Sequence, residues 1–531
     1  MRKTFHNPIL SGCYPDPSIC RVGEDYYLVT STFEYFPGLP IFHSRDLIHW
    51  RQIGHVLDRA SQLDLDEIRP SAGLYAPTIR HHNGIFYVIN TLVDGKTGHG
   101  NFIVTATQPQ GPWSEPYWLD ADGIDPSLLF DDDGKCWYVG THLNEDGYYT
   151  GHTEIFLQEL DLEKMKLVGE QTVLWDGAVK GVVWAEAPHI YKVNGYYYLL
   201  IAEGGTAHHH AVTVVRSKHI AGPYETYRGN PILTHRHLGL DYPIAGTGHA
   251  DLVETQNGEW WAVLLAMRPY GGYYYNLGRE TFLVPVRWED EFPIFSPGTG
   301  RVEFEYPVPN LPEHVWDVTP AREDFNDTTL AYHWNFLRTP RDEFYSLTER
   351  PGFLRLKLRP QRLTEQSNPS FVGRRQQHIN FTAQTEFEFT PQADECAGLV
   401  LIQNNDFHFR FVVTHDVSRI GNPTYENDNT IRLIKRSHGK DETLATQPLP
   451  AGRYTLKVTA HEQNYNFYFS TDGLWHTLAE NVDGRILSTP VAGGFVGAYI
   501  AMYASSNGQS STNHADFDWF EYSSGVNQLA D

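Results

Sequence analysis

Cysteine is scarce in this chain: Cys13, Cys20, Cys136 and Cys396 are the only four in 531 residues, and none has CxxC spacing. That argues against a disulfide framework or a cysteine zinc site and reads all four as small buried hydrophobes. Positive charge is also short. With 41 basic against 65 acidic residues the formal net charge is −24, which repels nucleic acid and anionic membrane, so neither is expected as a partner. No run approaches the roughly 18 apolar residues that a membrane-spanning helix needs. Residues 1–8 contain no apolar h-region, so no secretory leader is read there and a cytoplasmic location is expected. Long segments of helical period are few, which leaves strands as the dominant element.

What the chain has instead is a repeat. Five stretches share one pattern, centred on Asp16-Pro17-Ser18, Ala76-Pro77-Thr78, Asp125-Pro126-Ser127, Ala187-Pro188-His189 and His249-Ala250-Asp251. Each is followed by a turn and an aromatic-rich run, for example Asn83-Gly84 before Ile85-Phe86-Tyr87 and Asn194-Gly195 before Tyr196-Tyr197-Tyr198. A period of about 50 to 63 residues with strand-turn-strand chemistry inside it is the signature of a propeller, and five repeats predict five blades. Residues 41–50, 101–107, 154–160 and 211–217 alternate and are expected as outer strands. At 531 residues the chain exceeds one hydrophobic core. Prolines 307, 309, 312 and 320 mark a linker, dividing a propeller over 1–319 from a second domain over 320–531. Beyond the linker, alternation at residues 353–358, 385–389, 407–412 and 454–458, with a closing strand at 515–522, predicts an antiparallel β-sandwich. The fold class is therefore all-β: a five-bladed β-propeller followed by an antiparallel β-sandwich.

Radial repetition brings equivalent positions of every blade to one axis, so Asp16, Asp125 and Glu186 are expected to meet. The chain contains just two Asp-Pro dipeptides, both at the same point of the repeat. Proline is expected to push each preceding aspartate toward extended backbone. Glycosidic cleavage needs one carboxyl group that keeps its proton and another that is ionised. Three converging carboxylates can satisfy both needs, because like charges raise one member's pKa, although spacing alone does not say which residue does which. Arg279 is placed to compensate this charge or bind sugar hydroxyls, against the alternative of a surface ion pair. His249 holds the fifth blade's axial position, either as a cation or water ligand or, the favoured reading, within a buried network. Phe33 and Tyr75 are candidate stacking residues for a sugar face. The run His208-His209-His210 is not read as a metal site, since strand neighbours point to opposite faces, and residues 131–133 are read as a solvated acidic turn.

These motifs resemble glycoside hydrolase family 43, specifically β-xylosidases and α-L-arabinofuranosidases with a C-terminal sandwich. The carriers are Asn7-Pro8-Ile9-Leu10, Tyr14-Pro15-Asp16-Pro17-Ser18, Ser31-Thr32-Phe33-Glu34-Tyr35-Phe36-Pro37-Gly38, Ser44-Arg45-Asp46-Leu47, Gly123-Ile124-Asp125-Pro126-Ser127, Ala185-Glu186-Ala187-Pro188-His189 and Leu277-Gly278-Arg279-Glu280-Thr281. The resemblance implies an inverting hydrolase in which Asp16 is the general base, Glu186 the general acid and Asp125 the residue that tunes and orients Glu186. It further implies Arg279 beside the terminal sugar and His249 as an axial histidine at which a structural calcium is the one candidate ion, with no cofactor required. Residues 502–514 are the candidate loop closing one side of the pocket. Tyr14 and Tyr35, beside these motifs, are expected near the pocket and bear on sugar choice. The leading expectation is exo-acting hydrolysis of short xylo-oligosaccharides with α-L-arabinofuranosidase side activity. A dedicated arabinofuranosidase and a non-catalytic sugar-binding propeller are the competing readings, and a homo-oligomer is compatible with the size.

Overall fold

The computed structural model describes residues 3–96, 98–415 and 429–525. Between Ser18 and Phe295 the chain forms five antiparallel sheets, the main strands of each running in chain order from the axis outward. Their inner strands are Ser18–Val22, Thr78–His82, Ile124–Phe130, Glu186–Val193 and Ala245–Glu254. These five contact one another in sequence, and the last contacts the first, which closes the ring. We number the blades one to five by these strands.

Local chemistry explains each blade. In the second and fourth, Asn83-Gly84 and Asn194-Gly195 all have positive φ, the two-residue hairpin turn whose twist matches that of the flanking strands. The aromatic runs after the turns become the second strands Asp25–Val29, Ile85–Val93, Cys136–Leu143, Tyr196–Glu203 and Trp260–Met267. The third strands are Gly38–Ser44, Gly100–Ala106, Thr153–Asp161, Ala211–Ser217 and Glu280–Glu289. One expected strand is cut short. Residues 45–50 turn around Asp46, whose Oδ1 accepts from the Ile48 and His49 amides. The acidic turn also differs from expectation: Asp131 is buried, because the Lys192 ammonium and the Tyr197 hydroxyl both donate to its carboxylate.

The ring is fastened where it begins and ends. Thr4–His6 pairs with Glu305–Pro307, and the Asn7 side-chain amide donates to the Leu283 carbonyl and accepts from its N–H, both at 2.9 Å. Beyond Pro307 the chain runs without strand to Arg322–Glu323. Two further sheets, of eight and six strands, then pack face to face. Phe381–Phe389 alternates buried and half-buried residues strictly, the pattern of a strand with one face in the core. One apolar cluster runs from the first two blades into the sandwich. Phe336–Leu337 pairs with Tyr35–Phe36 across the boundary, and Tyr35 stacks on Tyr499 with ring centres 3.8 Å apart. No helix among the described residues is long and apolar enough to cross a membrane.

Candidate active site

The inner strands present chemistry because their first residues are bent out of the ladder. Asp16, Asp125, Ala187 and His249 all lie in the left-handed region, with φ of 55°, 53°, 54° and 52°. The two aspartates are thus not extended, as the following prolines suggested. In the third, fourth and fifth blades the pairing slips one residue, between Ile124 and Ser127, Glu186 and His189, and Gly248 and Asp251. Such a bulge re-aims a side chain. It holds a non-glycine residue where the backbone costs about 1–2 kcal/mol, a cost aspartate tolerates better than most. Glu186 stands one position upstream of the bulged Ala187 and so reaches the axis from the neighbouring register.

One cavity receives these residues. It is lined by Asp16, Asp125 and Glu186 together with Phe33, Tyr75, Ala76, Ile124, Thr206, His249, Arg279 and Phe495. Asp16, Asp125, Glu186, Arg279, His249, Phe33 and Tyr75, the seven residues given a site role from sequence, therefore stand on the same pocket, supplied by all five blades.

The three carboxylates are in unlike surroundings. Burial pushes Asp16 up, but the Arg279 guanidinium, His249 and the Ser31 hydroxyl more than offset it and hold Asp16 below the ordinary carboxylate range. Arg279 grips it as a fork, Nη1 to Oδ1 at 2.7 Å and Nη2 to Oδ2 at 3.3 Å, while Ser31 donates to Oδ2 at 2.6 Å. Glu186 has no ion-pair partner among the described residues. Burial, then the negative charges of Asp125 and Asp16, raise it well above its usual value. Asp125 lies between these extremes: burial pushes it up to about 6, moderated by His249 and by the Ala187 amide, which donates to Oδ2 at 3.1 Å. The arrangement therefore favours an ionised carboxylate at Asp16 and a retained proton at Glu186.

The walls are aromatic. Phe33, Tyr75 and Phe495 pack with ring centres 5.7 to 6.0 Å apart, and the Arg279 guanidinium lies over both Phe33 and Phe495. Phe495 comes from the sandwich. Its amide donates to Ser71 Oγ at 2.9 Å, and the preceding Gly494 leaves room for that hydroxyl, since a Cβ there would meet it at 2.3 Å. The segment that closes the pocket is therefore the one carrying Phe495 rather than residues 502–514. Met502 is buried in the strand Tyr499–Ser505, and residues 506–514 lie against Arg362 and Glu395. Tyr14 and Tyr35 do not line the pocket either. The first packs under Arg375 and against Phe42, and the second is sealed between the domains.

Sequence reasoning did not assign Ser31, Thr206 or Phe495 to the site. Ser31 lay within a quoted motif, and Thr206, which accepts from Arg279 Nη1 at 3.1 Å, adjoins the histidine run. Phe495 carries no repeat or motif, because its place depends on how two domains dock.

Below the carboxylates the same strands supply two more rings, at every second residue. Ser18 donates to Asp251 at 2.7 Å, Ser127 meets His189 at 2.8 Å, Arg80 spans Asp251 and His189, and the Tyr191 hydroxyl donates to Asp251 at 2.6 Å. His249 is buried above them with Nδ1 3.7 Å from Asp16. A single imidazole is a poor donor set for calcium, which takes six to eight oxygens. No group of three or more His, Cys, Asp or Glu among the described residues is arranged to hold a metal. The residues present do not fit a protein-caged calcium, and the chemistry below is derived from carboxyl groups alone.

The model for Glycosyl hydrolases family 43 matches residues 5–293, and that for the Beta xylosidase C-terminal Concanavalin A-like domain matches residues 322–523. The chain belongs to glycosyl hydrolase family 43. This family 43 chain is 49% identical over 524 residues to a xylosidase/arabinosidase of Butyrivibrio fibrisolvens, covering 97% of the chain and 98% of that protein. It is 43% identical to the non-reducing end alpha-L-arabinofuranosidase BoGH43B of Bacteroides ovatus, covering 98% and 95%. Among solved structures, the xylan beta-1,4-xylosidase of Bacillus halodurans C-125 superposes with a TM-score of 0.92 at 38% identity, covering 98% of this chain and 99% of that one.

Proposed function

We propose that this family 43 glycosidase is exo-acting and inverting, releasing D-xylose from the non-reducing end of short β-1,4-xylo-oligosaccharides, with α-L-arabinofuranosidase side activity. The observation that carries the mechanism is the divergence of the carboxylates: Asp16 gripped by Arg279 and Ser31, Glu186 buried with only like charges adding to its proton affinity. Asp16 takes a proton from water as the water oxygen attacks the anomeric carbon. Glu186 gives its proton to the glycosidic oxygen as the bond to the leaving sugar breaks. The step leaves Asp16 protonated and Glu186 ionised, and proton exchange with solvent restores both. Asp125, hydrogen-bonded to the Ala187 amide beside Glu186, raises the acid's proton affinity and holds the local backbone.

Exo action is supported by Phe495 and Tyr75, which with Phe33 wall the cavity on one side. A chain running through would have to displace them. The names of the relatives support both sugars, xylosidase for the Bacillus structure and arabinofuranosidase for the Bacteroides protein, so a dedicated arabinofuranosidase is the second reading. Hydrolysis of an aryl β-D-xyloside, which frees a single sugar, followed by NMR tests the first. Initial release of α-xylose supports inversion at a xyloside, initial β-xylose overturns the assignment of Asp16 as base, and faster turnover of the matched aryl arabinofuranoside reverses the order of the two sugars.

A further inference from the structure

Two residues before Glu186 stands a tryptophan whose placement burial does not explain. Trp184 is 38% exposed, yet its backbone is held in the left-handed region at φ 57°, a costly conformation for a bulky residue. Two glycines make room for the indole. A Cβ on Gly151 would come within 2.8 Å of its Cε2, and one on Gly205 within 3.2 Å of its Cδ1. Gly151 is on a loop of the third blade and Gly205 on a loop of the fourth, so the ring is wedged at the rim between them. Gly205 adjoins Thr206, which lines the pocket and accepts from Arg279.

The segment carrying Trp184 is fastened from both sides. Its amide donates to the Gly151 carbonyl at 2.7 Å, and the Val183 carbonyl accepts from Gly204 at 2.8 Å. The Tyr149 hydroxyl donates to the Val182 carbonyl at 2.7 Å, Thr153 to the Ala185 carbonyl at 2.9 Å, and the Ala178 amide to the buried Glu203 carboxylate at 2.9 Å. An aromatic surface is thus preorganised outside the pocket, where it adds little to the core.

Its position relative to the chemistry is set by the chain. Two residues span at most about 7 Å, so the backbone of Trp184 stands next to that of Glu186. The group that protonates the glycosidic oxygen must stand at the junction between the sugar in the pocket and the sugar that leaves. We infer that Trp184 is the stacking platform for the leaving-group sugar and so sets the preference for a sugar over a small leaving group. The inference rests on the reading of Glu186 as the acid.

The test compares wild type, Trp184→Ala and Trp184→Phe on xylobiose and on β-D-xylosyl fluoride, two substrates with the same sugar in the pocket but with a leaving sugar in one and a single atom in the other. For Trp184→Ala we expect KM for xylobiose to rise about tenfold while kcat/KM for the fluoride stays within about twofold, with Trp184→Phe restoring most of the loss. Equal losses on both substrates, or unchanged kinetics on xylobiose, overturn the platform. Melting temperatures of the two variants identify any loss due to misfolding, and the phenylalanine variant then decides alone. A wild-type enzyme inert on both substrates overturns the xylosidase reading and the platform with it, whereas an active wild type with parallel losses overturns the platform alone.

Discussion

Replacing Arg279 by methionine keeps much of the side chain's volume and removes the guanidinium that grips Asp16. Two unit charges about 4 Å apart interact by about 4 kcal/mol at an effective dielectric constant of about 20. That is equivalent to about three pH units of carboxylate affinity. Ser31 and His249 remain, and water entering the vacated space returns part of the loss, so the acid limb of kcat/KM is expected to move upward by at least about one pH unit. The sign is fixed by the charge. Removing a cation raises every carboxyl near it, and Arg279 lowers Asp16, Asp125 and Glu186 alike. The whole bell therefore shifts to higher pH, with the acid limb moving most because Asp16 is the direct partner. Arg279→Lys, which keeps the charge and loses the fork, should leave the acid limb nearer its wild-type position at a reduced rate. The assay is the pH dependence of kcat/KM on an aryl xyloside for the three proteins. If Arg279→Met lowers the rate at every pH without displacing the acid limb, then Arg279 binds sugar but does not hold Asp16 ionised, and the electrostatic division of the carboxylates fails.

Other perturbations test other links. Glu186→Ala should lower kcat on xylobiose by about 10²- to 10⁴-fold and much less on xylosyl fluoride, which needs no proton on its leaving group; parallel losses measured on the two would argue against the acid role. Phe495→Ala opens the wall contributed by the sandwich, so KM for xylobiose should rise several-fold, about 3- to 10-fold, and branched oligosaccharides should become better substrates relative to linear ones in competition kinetics. Burial, opposed by Arg338, pushes Glu34 from about 4.5 up to about 7. Its contribution to stability is full below pH 4.5 and is lost as pH rises through 7. Glu34→Gln should therefore gain stability on wild type as pH rises, by up to about 3 kcal/mol, and melting curves at pH 5 and pH 8 that keep a constant difference would contradict this.

Much of this was legible because a propeller writes its symmetry into the chain. Asp16 and Asp125 fall at the same register of the repeat, and the same alignment puts Ala76, Ala187 and His249 on the axis with them. Strand alternation likewise marked Phe381–Phe389 and His514–Ser524 in the sandwich. What was hidden depends on non-local geometry. Pro17 and Pro126 argued for extended aspartates, but both are left-handed: Asp125 sits in the bulge of the third blade, and Asp16 stands ahead of the first paired residue, Ser18, where Arg279 and Ser31 hold its carboxylate. Tyr35 looked like a pocket residue from its neighbours Phe33 and Glu34. Phe33, at φ 53°, lies ahead of the short strand Tyr35–Phe36, and the turn between them leaves Phe33 on the cavity while Tyr35 stacks on Tyr499 at the domain interface. Phe495 shows the same principle in reverse: nothing near it in the sequence marks it, and only the docking of the sandwich brings it to Phe33.

The rings beneath the carboxylates explain how the site can concentrate negative charge without losing its order. Asp251 is fully buried on the same axis, and uncompensated it would add a fourth like charge beneath the other three. Arg80 neutralises it at 2.8 Å, and Tyr191 and Ser18 also donate to it, so its pKa is held well below the ordinary carboxylate range by contacts that outweigh burial. A paired charge of this kind contributes little net field to the pocket above it. The potential felt by Glu186 is then set by its own neighbours, Asp125 and Asp16, and by Arg279. One axial arrangement thus separates two tasks: the lower rings tie the five blades together through polar contacts centred on Asp251 and His189, and the upper ring stays unbalanced, which is the condition for one carboxyl to keep a proton while another gives its up.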